Sequence, residues 1–259
     1  MLEIPAGAVH RLDPETTALH LDRLVMGRDS VLRIPPGERP VTLQARQAVL
    51  HAGSLIDARG LSGQPGRDGV DAAGATPACE DGQSGTPGTA GTPGGPGRDL
   101  VVTLGIATFE SLTIDTGGGA GGSGGHGGRG ADGGAVDGCH AGDGGDGAPG
   151  GAGGTGGAGG DIQLRFWVTQ PGVRVPITNY GEGITLRSAG GPAGAQGAGG
   201  SGGEGGRARY EKRSIGKTIA REAGDDGASG QPGGAGRDGA AGRTRLEVVA
   251  PQSIGAGNE

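Results

Sequence analysis

Apolar residues in this chain fall in short clusters bounded by turn residues, with long stretches of polar or side-chain-free sequence between them. Over residues 1–59 the clusters Leu19-His20-Leu21, Leu24-Val25-Met26, Val31-Leu32-Arg33-Ile34, Val41-Thr42-Leu43 and Ser54-Leu55-Ile56 read as strands, interrupted by Pro35-Pro36-Gly37 and Pro40. Short strands recurring about every ten residues fit a small β-sandwich, a barrel or a few coils of β-solenoid.

Beyond residue 59 one plan repeats three times: strand, glycine arm, tip, glycine arm, strand. The first unit leaves from Leu55-Ile56, turns at Val70 to Asp81 and returns into Leu100-Val101-Val102-Thr103-Leu104. The second leaves from Leu112-Thr113-Ile114, turns at Ala135 to Asp143 and returns into Ile162 to Val168. The third leaves from Ile184-Thr185-Leu186, turns at Arg207 to Ala223 and returns into Leu246-Glu247-Val248-Val249. Because every arm starts or ends at a strand, six arms should project from one end of a common β core and bring the three tips together.

Glycine falls every third residue along the arms. Gly118, Gly121, Gly124, Gly127, Gly130 and Gly133 form one register, and Gly144, Gly147, Gly150, Gly153, Gly156 and Gly159 another. The same period runs through Gly60 to Gly69, Gly82 to Gly97, Gly191 to Gly206 and Gly224 to Gly242. A period of three is neither the 3.6 of an α-helix nor the 2.0 of a strand. It is the period of the left-handed polyproline II helix, which has no internal hydrogen bonds, so bare glycine edges would let such helices bond to one another. The GGx triplets of the second unit offer two bare edges and should be central. Triplets with two side chains, such as Gly85-Thr86-Pro87 and Gly236-Arg237-Asp238, should be peripheral, with Arg67, Asp68, Arg98, Asp99, Arg237 and Asp238 facing water.

Composition sharpens this picture. The chain holds 66 glycines in 259 residues, far above the usual share of about 7%, and its aromatic residues are Phe109, Phe166, Trp167, Tyr180 and Tyr210 alone. No large apolar core is available. Ordering a residue costs about 1–2 kcal/mol and a net hydrogen bond returns about 0.5–1.5 kcal/mol. A lone glycine arm therefore cannot hold itself, whereas a bundle rooted in a packed core can. The expected fold is mainly β with polyglycine II and almost no α-helix: a small β-sandwich, barrel or short β-solenoid carrying six left-handed helices. Residues 1–59 form the β-rich N-terminal part, a docking element or part of the core; residues 60–249 form the bundle, and 250–259 a C-terminal tail.

Six glycine-rich left-handed helices springing from a β core resemble the N-terminal glycine-rich domain of the Obg GTPases and the polyglycine II sandwich of phage long-tail-fibre tip adhesins. The Gly-x-y and GGx composition is also similar to the snow flea antifreeze protein. The adhesin resemblance implies loops varied for receptor recognition on a fixed scaffold, and the antifreeze resemblance implies ice binding.

The net charge of −6 gives no support to nucleic acid as a partner, and no apolar run approaches the ~20 residues of a membrane span. Met-Leu-Glu-Ile-Pro lacks a basic region followed by an apolar one, so no secretory signal is visible. An extracellular or virion-associated location is still expected, since a removed leader, leaderless export or release inside a particle would leave this N-terminus.

Cys79 and Cys139, the only cysteines, both lie in tips. Three readings stand: a disulfide in an oxidising location, free buried thiols, or a metal site with His140, which no CxxC or HxxxH spacing supports. The third tip, Arg207 to Ala223, carries six basic and two acidic residues, a balance of +4 in an acidic protein. Arg207, Arg209, Tyr210, Lys212, Arg213 and Lys217 are the candidate contacts for a polyanion such as an acidic glycan. The alternative is that these bases pair with Asp71, Glu80, Asp81, Asp137 and Asp143 on the other tips. Ile215 and Ile219 at i,i+4 allow a short helix or a hairpin. Gly216-Lys217-Thr218 looks like the end of a phosphate-binding loop, but the glycine required five residues before Gly216 is Glu211. His126 is expected to mark an exposed edge.

No nucleophile triad, paired-carboxylate pattern, cofactor motif or metal motif is evident. The expectation is a non-enzymatic binding or structural protein that displays its tips to a cell-surface glycan or protein receptor, as a homo-oligomer or attached to a larger fibre. Two alternatives are a filament or coat built from copies of itself, and an ice-binding protein using Thr86, Thr89 and Thr92 at triplet spacing.

Overall fold

The computed structural model describes residues 1–72, 76–177, 183–212 and 218–250. Strands alternate between two sheets in chain order: β1 (Leu2–Ile4) and β2 (Val9–Arg11), β3 (Ala18–Met26) and β4 (Val31–Arg33), β5 (Val41–Leu50) and β6 (Ser54–Asp57), β7 (Leu100–Phe109) and β8 (Leu112–Asp115), β9 (Ile162–Val168) and β10 (Ile184–Arg187). A tip hairpin, β11 (Arg209–Lys212) and β12 (Thr218–Arg221), and a last strand, β13 (Thr244–Val248), follow. One sheet has the order β1-β3-β5-β7-β9-β13 and the other β10-β8-β6-β4-β2, and every pairing within them is parallel. The protein is mainly β, with no helix among the described residues. The winding, one strand per sheet per coil, is that of a β-solenoid; the sandwich and barrel alternatives would call for antiparallel hairpins.

Parallel register stacks like on like. Leu19, Leu43, Val102, Leu164 and Leu246 are successive partners across one sheet, and Leu32, Ile56, Ile114 and Leu186 across the other. Leu24, Leu32, Leu43, Leu50, Ile56, Leu104, Ile106, Leu112 and Ile114 are essentially inaccessible and belong to one cluster. Apolar residues recurring at alternate positions, as in the buried-intermediate alternation of Val41 to Ala45, suffice to fill the space between two thin sheets. The strands extend beyond the predicted clusters: Leu19–Leu21 and Leu24–Met26 merge into β3, and β1 and β2 form from segments with no clear apolar signature.

Each coil returns from the second sheet to the first through one corner. The first two returns, residues 12–17 and 34–40, are short; the next three, 58–99, 116–161 and 188–243, carry the glycine arms. Parallel strands lie about 4.8 Å apart, so arms leaving consecutive coils start side by side and already aligned. The hydrogen-bond ladder of the sheet runs straight into them. The N–H of Ala58 donates to Asp115 O and that of Thr116 to Arg187 O at the sheet edge; the N–H groups of Gly60, Gly63, Gly66 and Gly69 then donate to Gly117, Ala120, Ser123 and His126 O.

The same period of three joins the other arms. The outgoing arm of the second unit donates through Gly118, Gly121 and Gly124 to Ala189, Pro192 and Ala195, and through Gly119, Gly122 and Gly125 to Gly95, Thr92 and Thr89. Its returning arm donates through Gly151, Gly154 and Gly157 back to Gly125, Gly122 and Gly119, and accepts from Gly191, Gly194 and Gly197. Both second-unit arms thus bond to arms on either side, and both glycines of each GGx triplet are needed. A Cβ on Gly124 would run into Gly151 O, and one on Gly125 into Arg67 O, closer than the 3.0 Å that real Cβ atoms keep.

Carboxylates take part in this lattice. Asp68 and Asp71 accept from the N–H of His126 and Arg129, Asp81 from Asp143, Asp143 from Asp225, Asp146 from Ala228, and Asp238 from Ala193, at 2.7–2.9 Å. These are the N–H groups of the residues between glycines, which have no backbone acceptor in reach. Asp68, Asp99 and Asp238 are therefore exposed but bonded to the neighbouring arm, Asp99 through Asp161 N–H. Arg98 overturns the expectation that it faces water: it is 3% exposed. Its guanidinium donates to the carbonyls of Pro14, Thr16, Pro35 and Arg39, tying the two short returns to the root of the first arm pair.

Candidate functional site at the arm tips

The tips are built from whatever sequence joins an outgoing arm to a returning one, and their positions are fixed by the lattice beneath. Cys79 and Cys139 are paired as a disulfide with their Cα atoms 5.9 Å apart, which links the first tip to the second. Of the three readings of these cysteines, this is the one the geometry gives. Cys79 holds φ +70°, a left-handed conformation uncommon for a residue with a side chain. Among the described residues no group of histidines, cysteines and carboxylates is arranged to hold a metal ion, and His140 joins no such group.

The third tip is a hairpin. Strands β11 and β12 pair antiparallel, Arg209 opposite Arg221 and Lys212 opposite Thr218, so the hairpin option holds and the helix option does not for these residues. Arg207 and Arg209 are exposed. Tyr210 and Lys212 lie on β11. Arg213, Lys217 and Ile215 lie outside the described residues, and with them most of Gly216-Lys217-Thr218. Repetition of positive charge across the hairpin, with Arg209 opposite Arg221, is unfavourable by itself.

Of the five acids proposed to neutralise this tip, three make backbone contacts to other arms. Asp71, Asp81 and Asp143 accept backbone N–H groups of neighbouring arms. One ion pair near the arm ends joins Arg129 to Asp132 at 2.9 Å; among the described residues none joins Arg207 or Arg209 to a carboxylate. The scaffold residues Gly118, Gly121, Gly124, Gly127, Gly144, Gly147, Gly150 and Gly153 each donate their N–H to an adjacent arm. His126 is exposed, and its Nδ1 accepts the N–H of Ala198 at 3.0 Å, so the imidazole is part of the lattice. Thr86, Thr89 and Thr92 likewise have their hydroxyls 2.6–2.7 Å from the N–H groups of Val70, Arg67 and Gln64.

Sequence reading did not find the stitching carboxylates. Their signal is an aspartate recurring at the same offset from glycine on facing arms, and it appears only once the pairing of arms is known. Among the described residues no helix is long and apolar enough to cross a membrane.

No protein family of known description matches the chain, and no curated protein matches it. Among solved structures, the chain is similar to a springtail antifreeze protein from Granisotoma rainieri, described as a nine polyproline type II helical bundle whose crystal waters match the ice lattice. The alignment covers 72% of this chain and 94% of that one at 27% identity, with a TM-score of 0.12, too low to carry an argument.

Proposed function

We propose that this protein is a non-enzymatic display scaffold. Its arms are six left-handed polyglycine II helices rooted in the β core, and they hold the tips at their far end for recognition of a polyanion, an acidic cell-surface glycan being the expected receptor. The helical assignment is supported by the three-residue ladder between arms and by the arm glycines, none of which is among the described residues with positive φ, as polyproline II geometry requires. Residues 1–59, the first coils, dock the module onto a larger fibre or particle. The disulfide between tips is in keeping with an extracellular or particle-bound setting.

The observation that carries the receptor reading is the third tip's charge balance of +4, of which Arg207 and Arg209 join no carboxylate among the described residues. A polyanion would bring the counter-charge. Glycan and cell-binding arrays with isolated protein test this. Changing Lys212, Arg213 and Lys217 to Ala should abolish attachment with no fall in melting temperature, and attachment that survives the change removes the third tip as the contact.

A second reading, assembly from copies of the chain, is favoured by the ends of the solenoid. Strand β2 is exposed along its length and β13 is the outermost strand of its sheet, with Val248 65% exposed. Regular filaments in electron micrographs of purified protein would select this reading over the adhesin. The ice-binding reading loses its main support, because the hydroxyls of Thr86, Thr89 and Thr92 are turned to backbone N–H groups. Thermal hysteresis in purified protein would restore it.

A further inference from the structure

At the opposite end of the arms from the tips, the parallel register of the second sheet lines up charges that are far apart in sequence. Arg11 is the partner of Arg33, Arg33 of Asp57, and Asp57 of Asp115. Asp57 is buried; its carboxylate accepts from Arg33 at 2.6 Å and from Arg59 at 3.0 and 3.1 Å. Burial alone would raise the Asp57 carboxyl, but the Arg59 hydrogen bonds and the charges of Arg59 and Arg33 outweigh it and hold it below the usual carboxylate range.

One carboxylate is thus shared by two guanidiniums, while Arg11 makes no ion pair or side-chain hydrogen bond among the described residues and Arg33 Nε is buried with no partner. Like charges on directly opposed positions of neighbouring strands repel, so Arg11 beside Arg33 is an arrangement that a counter-anion relieves. These three arginines line a cleft of about 420 Å³ where the second sheet meets the first and second arms, together with Ser62, Gly119 and Ala120.

The arm side of the cleft lacks a carboxylate that its neighbours possess. Along the seam between the first and second outgoing arms, Asp68 accepts the N–H of His126 and Asp71 that of Arg129, in each case a residue 58 positions ahead. Two triplets nearer the root the same relation links Ser62 to Ala120, and the backbone register is unchanged, since Gly63 N–H donates to Ala120 O just as Gly69 N–H donates to His126 O. Serine is too short to do the work of aspartate there, and the Ala120 N–H has no partner in the protein among the described residues. Ser62 and Ala120 line the same cleft as the three arginines.

The geometry points to an oxyanion site at the root of the arms: the carboxylate or phosphate group of a small ligand occupies the place of the missing aspartate, accepting from Ala120 N–H and from the guanidiniums of Arg11 and Arg33. This site is separate from the tips and does not depend on what the tips bind. Arg59 remains on Asp57.

The test uses the full chain with two probes, inorganic phosphate and glucuronate, each at an ionic strength balanced with sodium chloride, followed by isothermal titration and by the melting temperature. Saturable binding of either probe beyond the chloride control is expected, and the tighter probe identifies the group. Arg11→Ala, an exposed residue with no partner to strand, should weaken binding about tenfold, the loss of a charge-assisted hydrogen bond. Ser62→Asp should supply the missing carboxylate, raise the melting temperature of the unliganded protein and abolish binding of both probes. Arg23→Ala, an exposed arginine of β3 outside the cleft, should leave binding unchanged. No saturable binding to the parent protein, or undiminished binding in either Arg11→Ala or Ser62→Asp, overturns the site, whatever the tips recognise.

Discussion

Replacing Gly151 by alanine adds one methyl group to a buried position of the central returning arm, at a point where three arms meet. The Gly151 N–H donates to Gly125 O at 2.8 Å, and its carbonyl accepts from Gly197 N–H at 2.9 Å. The new Cβ would overlap the carbonyl of Thr89 on the first returning arm, inside the 3.0 Å limit that real Cβ atoms keep. That obstacle is backbone, so no rotamer relieves it and the two returning arms must part by about 1 Å, enough to take a 2.9 Å bond beyond useful range. Parting them strains the bonds from Gly88 to Pro149 and from Gly91 to Ala152 that join the pair, and the bond from Gly125 to Thr89 that shares the carbonyl. A buried backbone group left unsatisfied costs about 1–3 kcal/mol. With two or three affected, the expected loss is roughly 3–6 kcal/mol, a large part of a typical stability of about 5–15 kcal/mol.

Gly234→Ala is the matched control. A Cβ there meets nothing nearer than the Ala152 Cβ at 3.9 Å. Both variants make the same change to the unfolded chain, which by itself stabilises by about 0.4–1 kcal/mol. Urea melts followed by far-ultraviolet circular dichroism should therefore place Gly234→Ala at or slightly above the parent protein and Gly151→Ala far below it. Were the two variants within about 1 kcal/mol of each other, close backbone contact between arms could not be what orders the glycine, and the reasoning would fail.

Other consequences can be checked on the same protein. Arg98→Met removes the donor to four carbonyls at the arm roots, and with those acceptors left in a buried corner the melt should show a loss of about 2–4 kcal/mol. Asp57 has a folded pKa below its ordinary value, so the stability it brings is fully present above the unfolded value near 4 and is lost as pH falls through the folded one. Asp57→Asn should accordingly destabilise at pH 7, and the gap to the parent protein should close as both are melted at progressively lower pH below about 4. Reducing the bond between Cys79 and Cys139, which are 60 residues apart, should lower the melting temperature by the equivalent of up to about 4 kcal/mol on the chain-entropy model; a melt insensitive to reductant would show that the tips are held together without it.

How much of this was legible beforehand differs between elements. Leu100–Leu104, Leu112–Ile114, Ile162–Val168 and Ile184–Leu186 are found as strands because their apolar residues stand between glycine tracts that cannot be strands. Strands β1 and β2 were not, since Leu2–Ile4 and Val9–Arg11 have one or two apolar residues each and owe their pairing to strands that follow them in the chain. Arg98 was misplaced because a Gly-Arg-Asp triplet looks alike at an arm's tip, middle or root. Only at the root does its side chain meet the carbonyls of the two short returns. At the third tip, the charge was readable and the hairpin was one of two options; that Asp71, Asp81 and Asp143 each accept a backbone N–H was not, because the donors lie on other arms.

The sequence by itself determined the periods: two in the apolar clusters and three in the glycine tracts, and with them which residues can afford no side chain. A missing Cβ is a local property, and it specifies that a neighbouring backbone approaches there without saying which one. Only the tertiary structure decided the neighbours. Parallel winding sets consecutive coils one strand spacing apart, and that spacing fixes which arm lies beside which, which aspartate meets which N–H, and how Arg11, Arg33 and Arg59 come to line one cleft with Asp57.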